Sequence, residues 1–299
     1  MKNMLSIDFE DWHQLVHRHV TDALGGVSET NLRRQMDTLL QVLADRGVHA
    51  TFFALGMVAE RCPDVVRTIA AGGHEIACHG YAHLIVKRIT PPEFREDTRR
   101  AKYLLEDLTG QPVLGYRAAE FSIDSQSLWA LEILAELGFE YDSSIFPIRH
   151  RRYGIPGFSP QPQRYRLASG ASIAEVPIST IVLAGSRMPV AGGGYFRLLP
   201  FQALAWSVRR LNAEGLPMVT YFHPYEFDPR PLDIMPSLER GRFRIRLRAS
   251  RWNFHQNLNR RTMLPKLLAL LDRFQFTTCR SYLDEAELGA GRELLSAAR

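Results

Sequence analysis

The chain reads as an α/β fold built on parallel strands, and three observations predict it. Short apolar runs alternate with amphipathic helical runs along most of the 299 residues. Glycines close several of the helical runs, and polar side chains able to do chemistry stand just past several of the apolar ones. Repeated βα units of this size imply parallel strands joined by right-handed crossovers. Such folds keep their chemistry at the carboxyl ends of the strands.

The elements follow in order. "MLSIDFEDW" opens with a strand that ends in acids. "ETNLRRQMDTLLQVLADRG" places Leu32, Met36, Leu39, Leu40 and Leu43 on one helical face and stops at Gly47. "VHATFFALG" is a buried strand and "DVVRTIAAGG" a helix with a glycine stop, followed by the strand-like run of "HEIACH". A helix near "PPEFREDTRRAKYLLEDLTG", the strand "PVLGYR" and a helix in "SQSLWALEILAELG" continue the rhythm. From "DSSIFPIRHRRYG" to "SRMPVAGGGYFRLLP" the chain is rich in Pro, Gly and Arg, which predicts long loops with one strand near "SIAEVPIS". The helix "PFQALAWSVRRLNAEG", the strand "LPMVTYFH" and a last helix and strand in "TMLPKLLALLDRFQFTT" complete one domain without internal repeats.

Composition bounds the function. Hydrophobic residues at 45% and charged residues at 23% are ordinary for a globular protein. Three scattered cysteines, Cys62, Cys78 and Cys279, offer neither a disulfide framework nor a cysteine metal site. The amino terminus lacks the basic and apolar regions of a secretory signal, so a cytoplasmic location is expected. Net charge +5 points to acidic partners. In "ERGRFRIRLRASR", Arg240, Arg242, Arg244, Arg246 and Arg248 alternate with other residues. In an extended chain they would share one face, either simply solvated or in peripheral contact with anionic headgroups at the inner membrane face, a pyrophosphate carrier or an acidic glycan. Nucleic acid is not expected, because no recognition fold or aromatic stacking motif accompanies the basic stretch.

The chemistry gathers at four apolar-run ends. His79 and His83 form an H-x-x-x-H pair, a spacing that histidines sharing a helix face would also give. Asp8, Glu10 and Asp11 crowd the end of the first strand, where three acids repel one another unless a cation sits between them. Asp11 could equally cap the following segment. Two histidines and a carboxylate are a common donor set for a catalytic zinc. Arg117 and His223 stand at two further strand ends, and an arginine beside Asp8 would orient it as a general base. No G-x-S-x-G elbow supports a serine hydrolase, and "GGGYFR" lacks the ending of a nucleotide loop.

With these residues in place, the chain resembles the polysaccharide deacetylases, the NodB-homology domain of carbohydrate esterase family four, over roughly residues 1 to 228. It is most similar to an exopolysaccharide-cluster subgroup sharing "D-x-E-D-W", "GGGYFR" and a carboxyl-terminal extension. The resemblance implies a distorted (β/α) barrel with fewer than eight units over residues 1–299, with 229–299 as the extension. It implies Asp8 as general base, His223 as general acid and Arg117 as the brace of the base. His79 and His83 would hold a divalent metal, zinc before cobalt, nickel or iron, with Glu10 as third ligand and Asp11 as its alternative. Asp142 in "YDSS" would pack behind the site, and it is expected with Tyr221 and Tyr195 among the substrate-binding residues. The family usually has two adjacent aspartates in its first motif, where this chain has Phe9 between Asp8 and Glu10. "RAAEF" replaces the usual proline after the arginine, and Tyr221-Phe222-His223 replaces Leu-x-His.

The activity so implied is removal of an N-acetyl group from an amino sugar of a bacterial exopolysaccharide, a cell-surface glycan or its lipid-linked precursor. Alternatives are deformylation of a lipid-linked amino sugar, opening of a small cyclic amide, or an inactive glycan-binding module.

Overall fold

The computed structural model describes residues 1–14, 26–232, 243–286, 288 and 291–294. Its centre is a sheet of ten strands. Strand β1 (Asn3–Phe9) lies between β10 (Val219–Phe222) and β2 (Thr51–Ala54). The order then runs through β3 (Glu75–Cys78), β4 (Gly115–Tyr116), β5 (Tyr141–Asp142) and β7 (Ser172–Glu175). All of these neighbours are parallel. Every residue of β1 and β2 is buried, as expected of parallel strands covered on both faces.

Helices supply the crossovers. α1 (Glu29–Ala44), α2 (Gly56–Arg61), α3 (Pro63–Ala71), α4 (Pro91–Thr109), α5 (Trp129–Glu136) and α7 (Phe201–Ala213) bury apolar stripes against the sheet, Leu32, Met36, Leu39 and Leu43 in α1. α4 starts with a capping box at Thr90 and Glu93 and stops at Gly110 in the left-handed region. The core they enclose runs through the chain from Met4 to Leu294.

The sheet does not close into a regular ring among the described residues. Residues 176–179 take over from β7: the Val176 and Ile178 amides donate to Asp142 O and Ile145 O. Ser179 N–H then donates to Val219 O on β10, and Tyr221 N–H donates to Ala191 O. This irregular seam is the distorted (β/α) architecture expected from the sequence. β11 (Phe276–Thr277) pairs with the start of β1.

One expectation holds in outline and one needs correction. The Pro- and Gly-rich middle is largely loop, with β7 as the strand expected near "SIAEVPIS", but it carries further short elements. β6 (Gln163–Arg166) and β7 form an antiparallel pair, β12 (Arg292–Glu293) adds to β6, and β8 (Thr180–Leu183) pairs with β9 (Ser186–Pro189). A short helix, α6 (Gly193–Leu198), follows. These strands are four residues or fewer, and only Tyr165 is fully buried in "QRYR", so no apolar alternation marks it. The arginine stretch, by contrast, is not a strand. Phe243–Asn257 is a helix, α8, in which alternate residues point about 200° apart by the 3.6-residue turn. Exposed Arg246 and Arg248 therefore do not share a face; Arg240, Arg242 and the side chain of Arg244 lie outside the described residues. α9 (Met263–Leu271) and α10 (Cys279–Glu285) complete the chain. No helix among the described residues is long and apolar enough to cross a membrane.

Candidate metal and catalytic site

β1 sets the first two groups by strand periodicity. Phe9 is fully buried in the core, so Asp8 and Glu10 on either side of it turn to the opposite face. Asp11 goes elsewhere. Its carboxylate accepts from Trp12 N–H at 2.7 Å and Ser28 N–H at 2.6 Å and lies 2.8 Å from His13 Nδ1. It ties the chain after β1 to the start of α1 and is not among the clustered donors, so the alternative third ligand is set aside in favour of Glu10.

The histidines do not share a helix face. Both lie past β3, on a loop pinned from α4 by Asp97, whose carboxylate accepts the Tyr81 and Ala82 amides at 2.8 and 2.9 Å. His83 has φ of 53°, a left-handed conformation uncommon outside glycine, which turns its ring back towards β1. His79 Nδ1 donates to Arg117 O at 2.8 Å, which leaves Nε2 as the free electron pair. Burial holds His79 below its ordinary range against the pull of Asp8 and Glu10, favouring the neutral ring.

Glu10, His79 and His83 bring donor atoms within 4.8 Å of one another, all buried. Glu10 Oε2 lies 2.9 Å from His83 Nε2 and 3.7 Å from His79 Nε2, yet has no hydrogen-bond partner. Burial alone would raise the Glu10 carboxyl, but His83 and His223 hold it well below the usual range. A buried, ionised carboxylate oxygen without a donor, facing two imidazoles, fits a cation.

Arg117, at the end of β4, is completely buried. Its Nη1 donates to Asp8 Oδ1 at 2.7 Å and to Ser6 Oγ at 2.8 Å, and Nη2 donates to Ser143 Oγ at 2.9 Å. Asp8 is thereby held in one orientation next to the donor cluster. Asp142 does not reach the cavity. It is buried behind the wall, accepting Ser144 N–H at 3.0 Å and Ser144 O–H at 2.5 Å. It faces Glu175, whose carboxyl is pushed well up by burial and by the charge of Asp142. The substrate-binding expectation for Asp142 is thus corrected to a supporting position, since Ser144 Oγ in turn accepts Ala118 N–H beside Arg117.

His223 follows β10 with Nε2 3.3 Å from Glu10 Oε1. Glu226 accepts the His223 amide at 3.0 Å and lies 3.4 Å from Nδ1. Burial works to lower the imidazole's pKa, but Tyr225, Glu10 and Glu226 outweigh it and hold His223 well above its ordinary value. Tyr225 stacks on the ring at 5.1 Å. Glu226 was missed in the sequence, although the H-x-x-E spacing after a strand is a capping-box signal.

These groups line one cavity of about 320 Å³, with Tyr221 and Tyr195 in its wall as expected. Helix α8 adds Trp252, His255 and Gln256, and the loop after β5 adds His150, Arg152 and Tyr153. Nothing in the local sequence marks these residues; only the fold brings them to the strand ends.

Comparison with known proteins divides the chain in two. Residues 29–141 match a family described as polysaccharide deacetylase, and residues 143–284 match a domain of unknown function, DUF3473. A peptidoglycan deacetylase-like protein of Gibberella zeae is 33% identical over 109 residues, 36% of this chain and 31% of that protein. A peptidoglycan-N-acetylglucosamine deacetylase of Bacillus cereus is 34% identical over 95 residues, 31% of this chain and 34% of that protein. The chain thus spans about a third of the length of these relatives. A crystal structure from Mycobacterium smegmatis, assigned as a polysaccharide deacetylase, superposes with a TM-score of 0.58 at 21% identity, covering 98% of this chain and 94% of that one. That likeness shows the shared fold.

Proposed function

From the polysaccharide deacetylase family, to which this chain belongs through residues 29–141, we propose a metal-dependent hydrolase that removes the N-acetyl group from an amino sugar of a bacterial exopolysaccharide or cell-surface glycan, or of its precursor. The observation that carries this reading is the Arg117–Asp8 ion pair at 2.7 Å beside the buried Glu10–His79–His83 cluster. An oriented base next to a cation-ready donor set is what amide hydrolysis needs.

Glu10, His79 and His83 would hold the ion, and their two imidazoles and one carboxylate suit zinc, with cobalt, nickel or iron also compatible. When bound, such an ion supplies Lewis acidity to a carbonyl and lowers the pKa of water. Asp8 takes the proton of the water whose oxygen attacks the acetyl carbon, and Arg117 keeps Asp8 in place as that proton arrives. His223 carries the proton for the other half of the reaction, delivering it from Nε2 to the departing nitrogen as the C–N bond breaks. Glu226 keeps the His223 ring in register and favours its charged form. Acetate and a free amine result. Tyr221 and Tyr195 shape the cavity around the acyl group and the sugar. The same reading takes residues 1–299 as one working unit, with 229–299 as an extension that supplies α8 to the cavity wall.

The test is elemental analysis joined to an acetate assay on N-acetylglucosamine oligomers. Wild type should hold about one divalent ion per chain, and a His79→Ala/His83→Ala double variant should hold none. Asp8→Asn should keep the ion and lose acetate release by about 10²–10⁴-fold. Full metal in the double variant, or undiminished turnover in Asp8→Asn, would overturn the assignment.

A further inference from the structure

The catalytic cavity contains a positive charge that the reaction above does not use. Arg197, from α6, lines the cavity while only 3% exposed. Its Nη1 donates to Gln256 O at 2.5 Å and to Gln256 Oε1 at 3.1 Å, both on α8. Among the described residues, Nε and Nη2 have no hydrogen-bond partner and no carboxylate lies within ion-pair distance. Nη2 lies under Gly194, where an added Cβ would stand 3.9 Å from it, so nothing of that residue covers the guanidinium from the cavity side. A guanidinium held by a neutral tether, with two donors left open to the cavity, is placed to receive an anion there.

The surroundings give the sign of that missing group. Arg152 lines the same cavity and lies 3.8 Å from Glu120. His255 stands where both guanidiniums act on it: burial lowers its pKa, and the charges of Arg197 and Arg152 lower it further. Burial would raise the Glu226 carboxyl, but His223 and then the Arg197 charge hold it low, and its hydrogen bonds go to His223. Trp252, half-buried in the wall, offers a flat apolar surface next to His255.

We propose that Arg197, with Arg152 and His255 beside it, forms an anion subsite of the catalytic cavity, which takes a carboxylate or phosphate group carried by the substrate near its N-acetylated sugar. The substrate class is then an acidic glycan or a sugar phosphate rather than a neutral amino-sugar polymer. This rests on the deacetylase reading for the reaction, though not for the binding of the anion.

The experiment compares wild type with Arg197→Gln and Arg197→Lys in two assays. In the first, kcat/KM for acetate release is measured on matched pairs: N-acetylglucosamine oligomers against oligomers alternating with glucuronate, and N-acetylglucosamine against its 1-phosphate. Wild type should prefer the acidic member by about tenfold or more, as one charge-assisted contact allows. Arg197→Gln should bring that ratio close to one, with Arg197→Lys between. Should Arg197→Gln not fold, the wild-type and Lys ratios carry the comparison, and equal ratios overturn the proposal. In the second, D-glucuronate and inorganic phosphate are titrated calorimetrically into the same proteins, and the tighter of the two identifies the group. Binding unchanged in Arg197→Gln overturns the subsite. Arg197-dependent binding without acetate release from any substrate leaves the subsite standing and removes the deacetylase reading. Equal acetate release from neutral and acidic partners does the reverse.

Discussion

Among the described residues Arg117 is one of the largest side chains with no exposure to solvent, and a single carboxylate, Asp8, balances it in contact. Its remaining donors go to Ser6 and Ser143, and its cationic carbon lies 3.9 Å from the centre of the Phe53 ring. Such a group holds Asp8 in place only because its neighbours are themselves fixed: Ser6 Oγ donates onward to Thr220 O and Ser143 Oγ to Val176 O. Arg117→Met removes the partner and leaves the Asp8 carboxylate buried alone. The expected cost is about 3–5 kcal/mol in urea unfolding, together with loss of acetate release. A change below about 1 kcal/mol would fit a weakly coupled, relaxed pair and would remove Arg117 from its bracing role.

At the scale of elements, α6 begins against β10 so closely that only glycine fits. A Cβ on Gly193 would stand 1.9 Å from Glu226 Oε1, and one on Gly192 would stand 2.3 Å from the Tyr221 ring. Gly193→Ala should therefore displace Glu226 and loosen the His223 ring at Nδ1, while Glu10, His79 and His83, held by their own strand ends, stay in place. The expected result is normal metal content with kcat reduced by about 10²-fold, the scale of a misplaced proton donor. Unchanged kcat would mean that His223 does not depend on Glu226. This close approach also explains what the sequence made legible. Asp8, Glu10, His79, Arg117 and His223 stand at or just past the ends of apolar runs, so both the parallel strands and the site could be read from one pattern. β6 and β9 are not legible, because QRYR and SRMP carry no apolar period, and β8 is apolar but only four residues long. The helix at 243–257 was misread as a strand, since Phe243, Ile245 and Leu247 alternate with arginines. Period two over a few residues does not outweigh the good helix formers around it. Trp252, Arg152 and Arg197 reach the cavity through tertiary packing, which no local spacing encodes.

For the whole molecule, acid should act in part through a histidine at the opposite end of the strands. His74, just before β3, is 7% exposed, and its Nδ1 accepts Ala50 N–H at 3.2 Å, which requires a neutral ring. Burial, aided by the charge of His49, lowers its pKa from 6.5 to about 4. The folded pKa lies below the unfolded one, so the unfolded chain takes up a proton that the folded chain refuses. This contribution to stability is complete above pH 6.5 and is lost as pH falls towards about 4. His74→Gln cannot titrate but retains an acceptor for Ala50. Its urea midpoint should fall less steeply than that of wild type between those pH values, and parallel curves would clear His74 of the effect.

The strand order also has a consequence in time. Glu10 follows β1 and His79 and His83 follow β3, with only β2 between them in the sheet. One flank of β1 is filled by β10, and β11 pairs with its first residues on the β2 side, both drawn from far along the chain. As the polypeptide leaves the ribosome, the ligand trio is complete long before His223 has been translated. Pairings so distant in sequence are slow to form. On the deacetylase reading proposed above, the nascent chain would hold its ligand trio before its proton donor, so that no armed catalyst would exist before its cavity has walls.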